Sequence, residues 1–305
     1  MTRRLVAALA AATALLAAAP AHAGLPSFCD RHHDLSADDQ DVLLRFGAVV
    51  KDELAAAGAE AALVARSGTD LHRFDIRYSH AGVVLKDHAD LPWSVRQLYF
   101  ACDERRPRVF DQGVAGFLFG SDDPASGWVS LVFLPPERAA ALARAAADRA
   151  QALRVLGSTY SANAYPFSTR YQNCNQWVAE ILATAWDDAP AIEGEDPRRR
   201  AQGWLYGQRY APTVFEVPVR AWFWAVDLVP LLHSDDHPPW ELADDRMAIS
   251  MPLSIETFVH RLEPAATRVE LCHVGRHVVV HRGWDDTPDG CIAGPGDRTL
   301  ELDRG

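Results

Sequence analysis

The sequence predicts an α+β fold, an antiparallel sheet packed with helices, and three observations carry that reading. Runs rich in β-branched and aromatic residues, Ala61 to Arg66, Asp75 to Lys86, Trp93 to Ala101 and Trp128 to Leu134, follow one another with Gly, Asp and Pro signals between them. Apolar residues at helical spacing come before these runs and again after them. An apolar fraction of 49% is ample for a core.

The elements follow in order. Met1 to Ala23 joins Arg3 and Arg4, an apolar run from Leu5 to Ala19 and Ala21-His22-Ala23, the pattern of a secretory leader with its cleavage site. The mature chain is expected to begin near Gly24 in the periplasm or outside the cell, and the apolar run is too short for a good membrane anchor. Ser36, with Asp39 three residues on, is an N-cap. Val42, Leu43, Phe46, Val49, Val50 and Leu54 then mark one helix face up to Gly58. Pro135-Pro136 ends the fourth strand run. A helix from Glu137 to Leu156 is stopped by Gly157, and a loop over 158–172 leads into a helix beginning near Cys174. In that helix Trp177, Val178, Ile181, Leu182 and Ala185 recur at three- and four-residue steps. Pro190 to Arg199 is charged, Arg200 to Gln208 suits a short helix and Thr213 to Val217 a short strand. Val219 to Leu232, about 14 residues holding Trp222, Phe223 and Trp224, is too short to span a bilayer and reads as a cover segment or as a contact with a membrane surface. Arg268 to Val274 and His277 to Arg282 suggest a hairpin. The organisation is therefore leader 1–23, main domain 24–264 and C-terminal hairpin extension 265–305.

The formal charge is −11, and losing Arg3 and Arg4 with the leader leaves 28 basic residues against 41 acidic, or −13. With no basic stripe to offset that repulsion, nucleic acid is excluded as a partner. No phosphate loop or dinucleotide fingerprint occurs, so no cofactor is expected. Five cysteines in an exported chain leave one thiol over. The pairing chosen is Cys29 with Cys102, tying the N-terminus to the sheet, and Cys272 with Cys291, closing a local loop; Cys174 stays reduced. Two histidine clusters, His233/Asp235/Asp236/His237 and His273/His277/His281, lack regular zinc spacing or helical context, and no metal site is assigned.

Cys174 at a helix start and His80 on a strand suggest a nucleophile and its base. Unpaired N–H groups and the helix dipole lower a thiol pKa at that position, with Asn173 as N-cap. A hairpin turning near His88 and Ala89 sets His80 opposite Gln97, on the face covered by the Cys174 helix, where the Gln carbonyl can orient the imidazole. His88, Asp87 and Tyr99 are the alternatives for that third role. The Cys174 N–H, with Gln172 or a loop N–H, would form the oxyanion hole, supported by Asn173 and Tyr78.

These residues resemble the circularly permuted branch of the NlpC/P60 superfamily of papain-like thiol hydrolases and acyltransferases, in which the histidine strand precedes the cysteine helix. More closely, the stretches 77–82, 164–177 and 233–238 resemble a bacterial family catalogued as domain of unknown function 2145. The resemblance implies a permuted papain-like arrangement. One position departs from it: the third polar residue, often His in the superfamily, is Gln97 here. The expected function is thiol hydrolysis or acyl transfer on an amide or ester, with a cell-wall peptide as first substrate class and an acyl lipid as second. The competing class is a noncatalytic envelope binding or assembly protein that keeps the fold.

Overall fold

The computed structural model describes residues 35–88, 91–190, 192–217 and 229–303. The expected leader, Cys29 and the Trp222 to Trp224 segment lie outside the described residues. The fold is mixed α+β, built on a large antiparallel sheet packed with helices.

Helix α1 (Ala37–Ala57) starts as its sequence requires. The Ser36 hydroxyl accepts the Asp39 N–H while the Asp39 carboxylate accepts the Ser36 N–H, a reciprocal cap worth about 1 kcal/mol. It ends at Gly58, whose φ of 66° is the left-handed conformation that glycine adopts without steric cost. Strand β1 (Ala61–Arg66) follows and is buried along its whole length.

Next come β2 (His80–His88), β3 (Leu91–Ala101), β4 (Arg106–Gly113), the short α2 (Val114–Leu118) and β5 (Ser126–Phe133). The strand expected from Asp75 begins only at His80. Asp75 has a φ of 56° and closes a 3-10 turn over His72–Phe74, which breaks the extended backbone. The helix expected over 137–156 is two helices, α3 (Pro136–Ala147) and α4 (Arg149–Arg154). Asp148 separates them, with its carboxylate accepting the N–H groups of Ala150 and Gln151. Helix α5 (Cys174–Trp186) starts after Asn173, followed by α6 (Pro197–Gly207), β6 (Thr213–Glu216), α7 (Pro239–Ala243), β7 (Arg246–Ile249) and α8 (Pro252–Leu262). The chain finishes with β8 (Thr267–Val274), β9 (His277–Arg282) and β10 (Arg298–Glu301).

Eight strands form one sheet in the order β10-β9-β8-β5-β1-β2-β3-β4, with antiparallel pairing throughout. The expected C-terminal hairpin is β8 and β9, but β8 pairs with β5, so the proposed boundary at 264/265 falls beside a continuous sheet. The Cys272–Cys291 disulfide is formed and ties β8 to the loop after β9. Cys102 is also oxidised, and its expected partner lies outside the described residues.

Alternate residues of the sheet serve two cores. Ala61, Leu63, Ala65, Ala81, Val83, Leu85 and Leu98 pack with α3 and α5 through Leu142, Trp177 and Ile181. Ala62, Val64, Val84 and Val95 pack with α1 and α2 through Phe46 and Phe117 on the other side. A separate two-stranded sheet, β6 with β7, carries a small cluster of Ile76, Met247, Ile249 and Met251.

Candidate active site

Cys174 is the first residue of α5 and the free cysteine among the described residues. Asn173 caps the helix as expected, accepting the Gln176 N–H at 2.6 Å, and its amide reaches the carbonyls of Ala162 and Ser250. The N–H groups of Cys174 and Asn175, together with the Tyr160 hydroxyl, favour a thiolate at the sulfur. Burial outweighs them. Only 8% of Cys174 is exposed, and desolvation pushes the thiol up to about 11. The lowered pKa expected for a helix-terminal thiol is therefore reversed in the structure.

His80 begins β2, and its Nε2 lies 2.7 Å from the Gln97 Oε1, so the expected imidazole–amide pair is formed. The Gln97 amide in turn donates to Gln112 Oε1 at 2.6 Å, which fixes its orientation. The route to this pair differs from the expected one. The β2–β3 ladder runs Val83 to Arg96 and His88 to Leu91, two residues out of the predicted register. A slip of two preserves side-chain alternation, so His80 and Gln97 still share a face as diagonal neighbours. Tyr99 stacks on the imidazole with ring centroids 4.6 Å apart. Of the alternatives for the third role, Tyr99 thus touches His80. His88 instead meets Arg96 and Asp111, and Asp87 is exposed.

That shared face is the α1/α2 side, where Phe117 lies 5.8 Å from His80, and not the face covered by α5. The N-terminus of α5 abuts the start of β2 through Asn175, while no hydrogen bond joins Cys174 to His80 among the described residues. Asn175 Oδ1 accepts the Ala81 N–H at 2.9 Å and its amide donates to the Ser79 carbonyl at 3.1 Å. Asn175 thereby satisfies the backbone groups flanking His80, before the β2–β3 ladder begins at Val83. Cys174, Asn175, His80, Tyr99 and Tyr160 all line one cavity of about 1250 Å³. Its far wall includes Phe215, Met247, Ile249 and Met251.

Desolvation and the nearby Arg66 guanidinium lower His80 to about 3. With the thiol raised and the imidazole lowered, both groups rest in their neutral forms near pH 7.

Gln172 and Tyr78 occupy other positions than those expected. Gln172 accepts the Gly157 N–H and donates to Val155 O and Glu180, so its amide has no hydrogen left for an oxyanion. It belongs to a buried cluster in which Glu180 pairs with Arg198 at 2.9 Å, and Arg198 holds the carbonyls of Thr169 and Tyr171. That cluster braces the loop entering α5. Tyr78 joins Glu270 and Arg268 in a second buried network, where burial and Glu270 raise its pKa. Of the histidine clusters, His237 Nε2 bonds Asn163 O, Asp236 caps the Tyr165 N–H, and His277 and His281 pair with Glu301 and Asp297.

Arg66, Tyr160 and Asn175 were not among the predicted site residues. Arg66 closes an apolar strand run, and Asn175 sits one residue past the cysteine; only that adjacency hinted at its role.

No curated protein and no solved structure matches the chain. A family model described as "Uncharacterized protein conserved in bacteria (DUF2145)" matches residues 53–259, which take in β1, β2, β3 and α5 with all the residues of this cavity named above. The chain belongs to the DUF2145 family.

Proposed function

We propose that this protein is an exported thiol hydrolase or acyltransferase acting on an amide or ester, with a permuted papain-like arrangement of helix and strands. The observation that carries the reading is the opening of a free cysteine at a helix N-terminus onto the same cavity as a histidine held by Gln97. His80 takes the Sγ proton as sulfur attacks the substrate carbonyl. The C–N or C–O bond breaks, the leaving group takes that proton, and a thioester remains on Cys174. Water or an amine attacks the thioester and releases the thiol. The N–H groups of Cys174 and Asn175 with the Tyr160 hydroxyl are the donors for the tetrahedral oxyanion. Because the resting pair is neutral, proton transfer accompanies attack and no thiolate is stored. A cell-wall peptide remains the first substrate class.

The buried, high-pKa thiol favours a second reading, a noncatalytic envelope protein that retains the fold. Incubation with 4-nitrophenyl acetate at pH 8, followed by intact mass and peptide mapping, separates the two. The expected result is an acetyl adduct on Cys174, formed on the order of a hundredfold more slowly in His80→Ala. No adduct on Cys174, or ester turnover unchanged in Cys174→Ala, overturns the enzymatic reading.

A further inference from the structure

Arg66 is 3% exposed and lines the cavity beside His80 and Cys174. Its guanidinium donates to the Ser67 carbonyl at 3.0 Å and the Tyr99 hydroxyl at 2.6 Å, and lies 5.2 Å over the Phe117 ring. Its Nε is buried and bonded to nothing among the described residues. Five N–H donors are available on a guanidinium; two are engaged. The cavity wall has carboxylates at Asp75, Asp122, Glu216, Asp244 and Asp245, yet among the described residues none is in ion-pair contact with Arg66. Other buried arginines of this protein contrast with it: Arg198 pairs with Glu180, Arg268 with Glu256 and Glu270, and Arg96 with Asp111.

The space for this group is built into the backbone. A Cβ on Gly68 would come within 2.6 Å of Nη1, and a Cβ on Gly120 within 2.3 Å of Nη2. Two glycines therefore cradle a cation that forms no ion pair with a carboxylate among the described residues. A buried charge is retained at a cost unless a counter-charge completes it.

We propose that Arg66 is an anion-recognition residue and that the ligand of this cavity carries a carboxylate. The remaining Nη–H groups of the planar guanidinium can meet the two oxygens of a carboxylate, and a single guanidinium matches a monoanion. Taken with the acyl-transfer reading, on which this part rests, the substrate is an acyl compound with a carboxylate next to the reacting carbonyl, as at the free C-terminus of a peptide. The anion site itself does not depend on that reading.

Isothermal titration with N-acetylglycine, N-acetylglycinamide and inorganic phosphate tests it on the folded protein. The expected result is saturable binding of N-acetylglycine, at least tenfold tighter than the neutral amide or phosphate. Arg66→Met should lose it by at least tenfold, and Arg66→Lys should keep part of it. Should Arg66→Met fail to fold, Tyr99→Phe, which removes the hydroxyl orienting the guanidinium, is expected to weaken binding several-fold. Equal binding of acid and amide, tighter binding of phosphate, or unchanged affinity in the folded Arg66→Met or Tyr99→Phe variants overturns the proposal. Cys174→Ala should bind N-acetylglycine as the wild type does. Anion binding without any Cys174 adduct then sinks the enzyme and leaves Arg66 standing, whereas a Cys174 adduct without anion binding does the reverse.

Discussion

Cys174 sits under two opposed influences. The helix terminus offers N–H groups worth a few tenths to about 2 kcal/mol to a negative charge, while burial in a largely apolar surround costs more and wins. A thiol of this kind should alkylate slowly at neutral pH. The rate with iodoacetamide is expected to rise about tenfold per pH unit from pH 7 to pH 10, because the thiolate fraction does so below a pKa near 11. A plateau below pH 8 would mean that the thiolate is already formed, and the neutral resting pair would have to be given up. His80 answers to the same physics with opposite sign. Burial and Arg66 both disfavour its cation, so it remains a neutral acceptor throughout that range.

Helix α5 joins a reactive end to a structural body. Trp177 is fully buried and donates its indole N–H to the Ala152 carbonyl at 3.2 Å, pinning α5 to α4. Trp177→Ala leaves a cavity and an orphaned carbonyl, and should cost ~3 to 5 kcal/mol in urea unfolding. Cys174→Ala removes one small side chain at the edge of an existing cavity, and should cost about 1 kcal/mol or less while abolishing any acyl transfer. Equal losses of stability would mark Cys174 as a core residue and favour the noncatalytic reading. The same helix also has a connecting role. Asn175 takes the position of a missing strand partner beside β2, so the cysteine and histidine halves of the site are coupled by backbone hydrogen bonds rather than by loops.

Across the whole molecule, the sheet is closed against α8 and the C-terminal loop by a charge network that is buried at Arg268, Glu256 and Glu270 and reaches the surface at Asp286. Arg268 contacts Glu256 at 3.2 Å, Glu270 at 3.1 Å and Asp286 at 2.8 Å. Burial, partly offset by Arg268, raises Glu256 to about 7. A carboxyl raised in the folded state gives stability that is complete below the ordinary value near 4.5 and is lost as pH rises through 7. Wild type minus Glu256→Gln should therefore lose about 3 kcal/mol of relative stability between pH 4.5 and 7.5, measured by urea unfolding at each pH. A pH-independent difference would show that Glu256 is ionised throughout. What the sequence by itself determined was local: the Ser36 cap, the Gly58 stop, β1 from Ala61 to Arg66, the start of α5 after Asn173, and the Cys272–Cys291 link were legible because neighbouring residues decide them. Strand β4 was not legible, since an edge strand carries charges and Pro107 rather than an alternating apolar pattern. The pairing of His80 with Gln97 was legible only as parity. Side-chain alternation has a period of two, so a register two residues out still placed both on one face, whereas which face it was depended on how the helices packed. The same packing determined that Cys174 is buried, that Gln172 braces a loop, and that Arg66 has no ion-paired carboxylate among the described residues. Those properties depend on groups far apart in the chain, and desolvation arises only once the fold removes water from them.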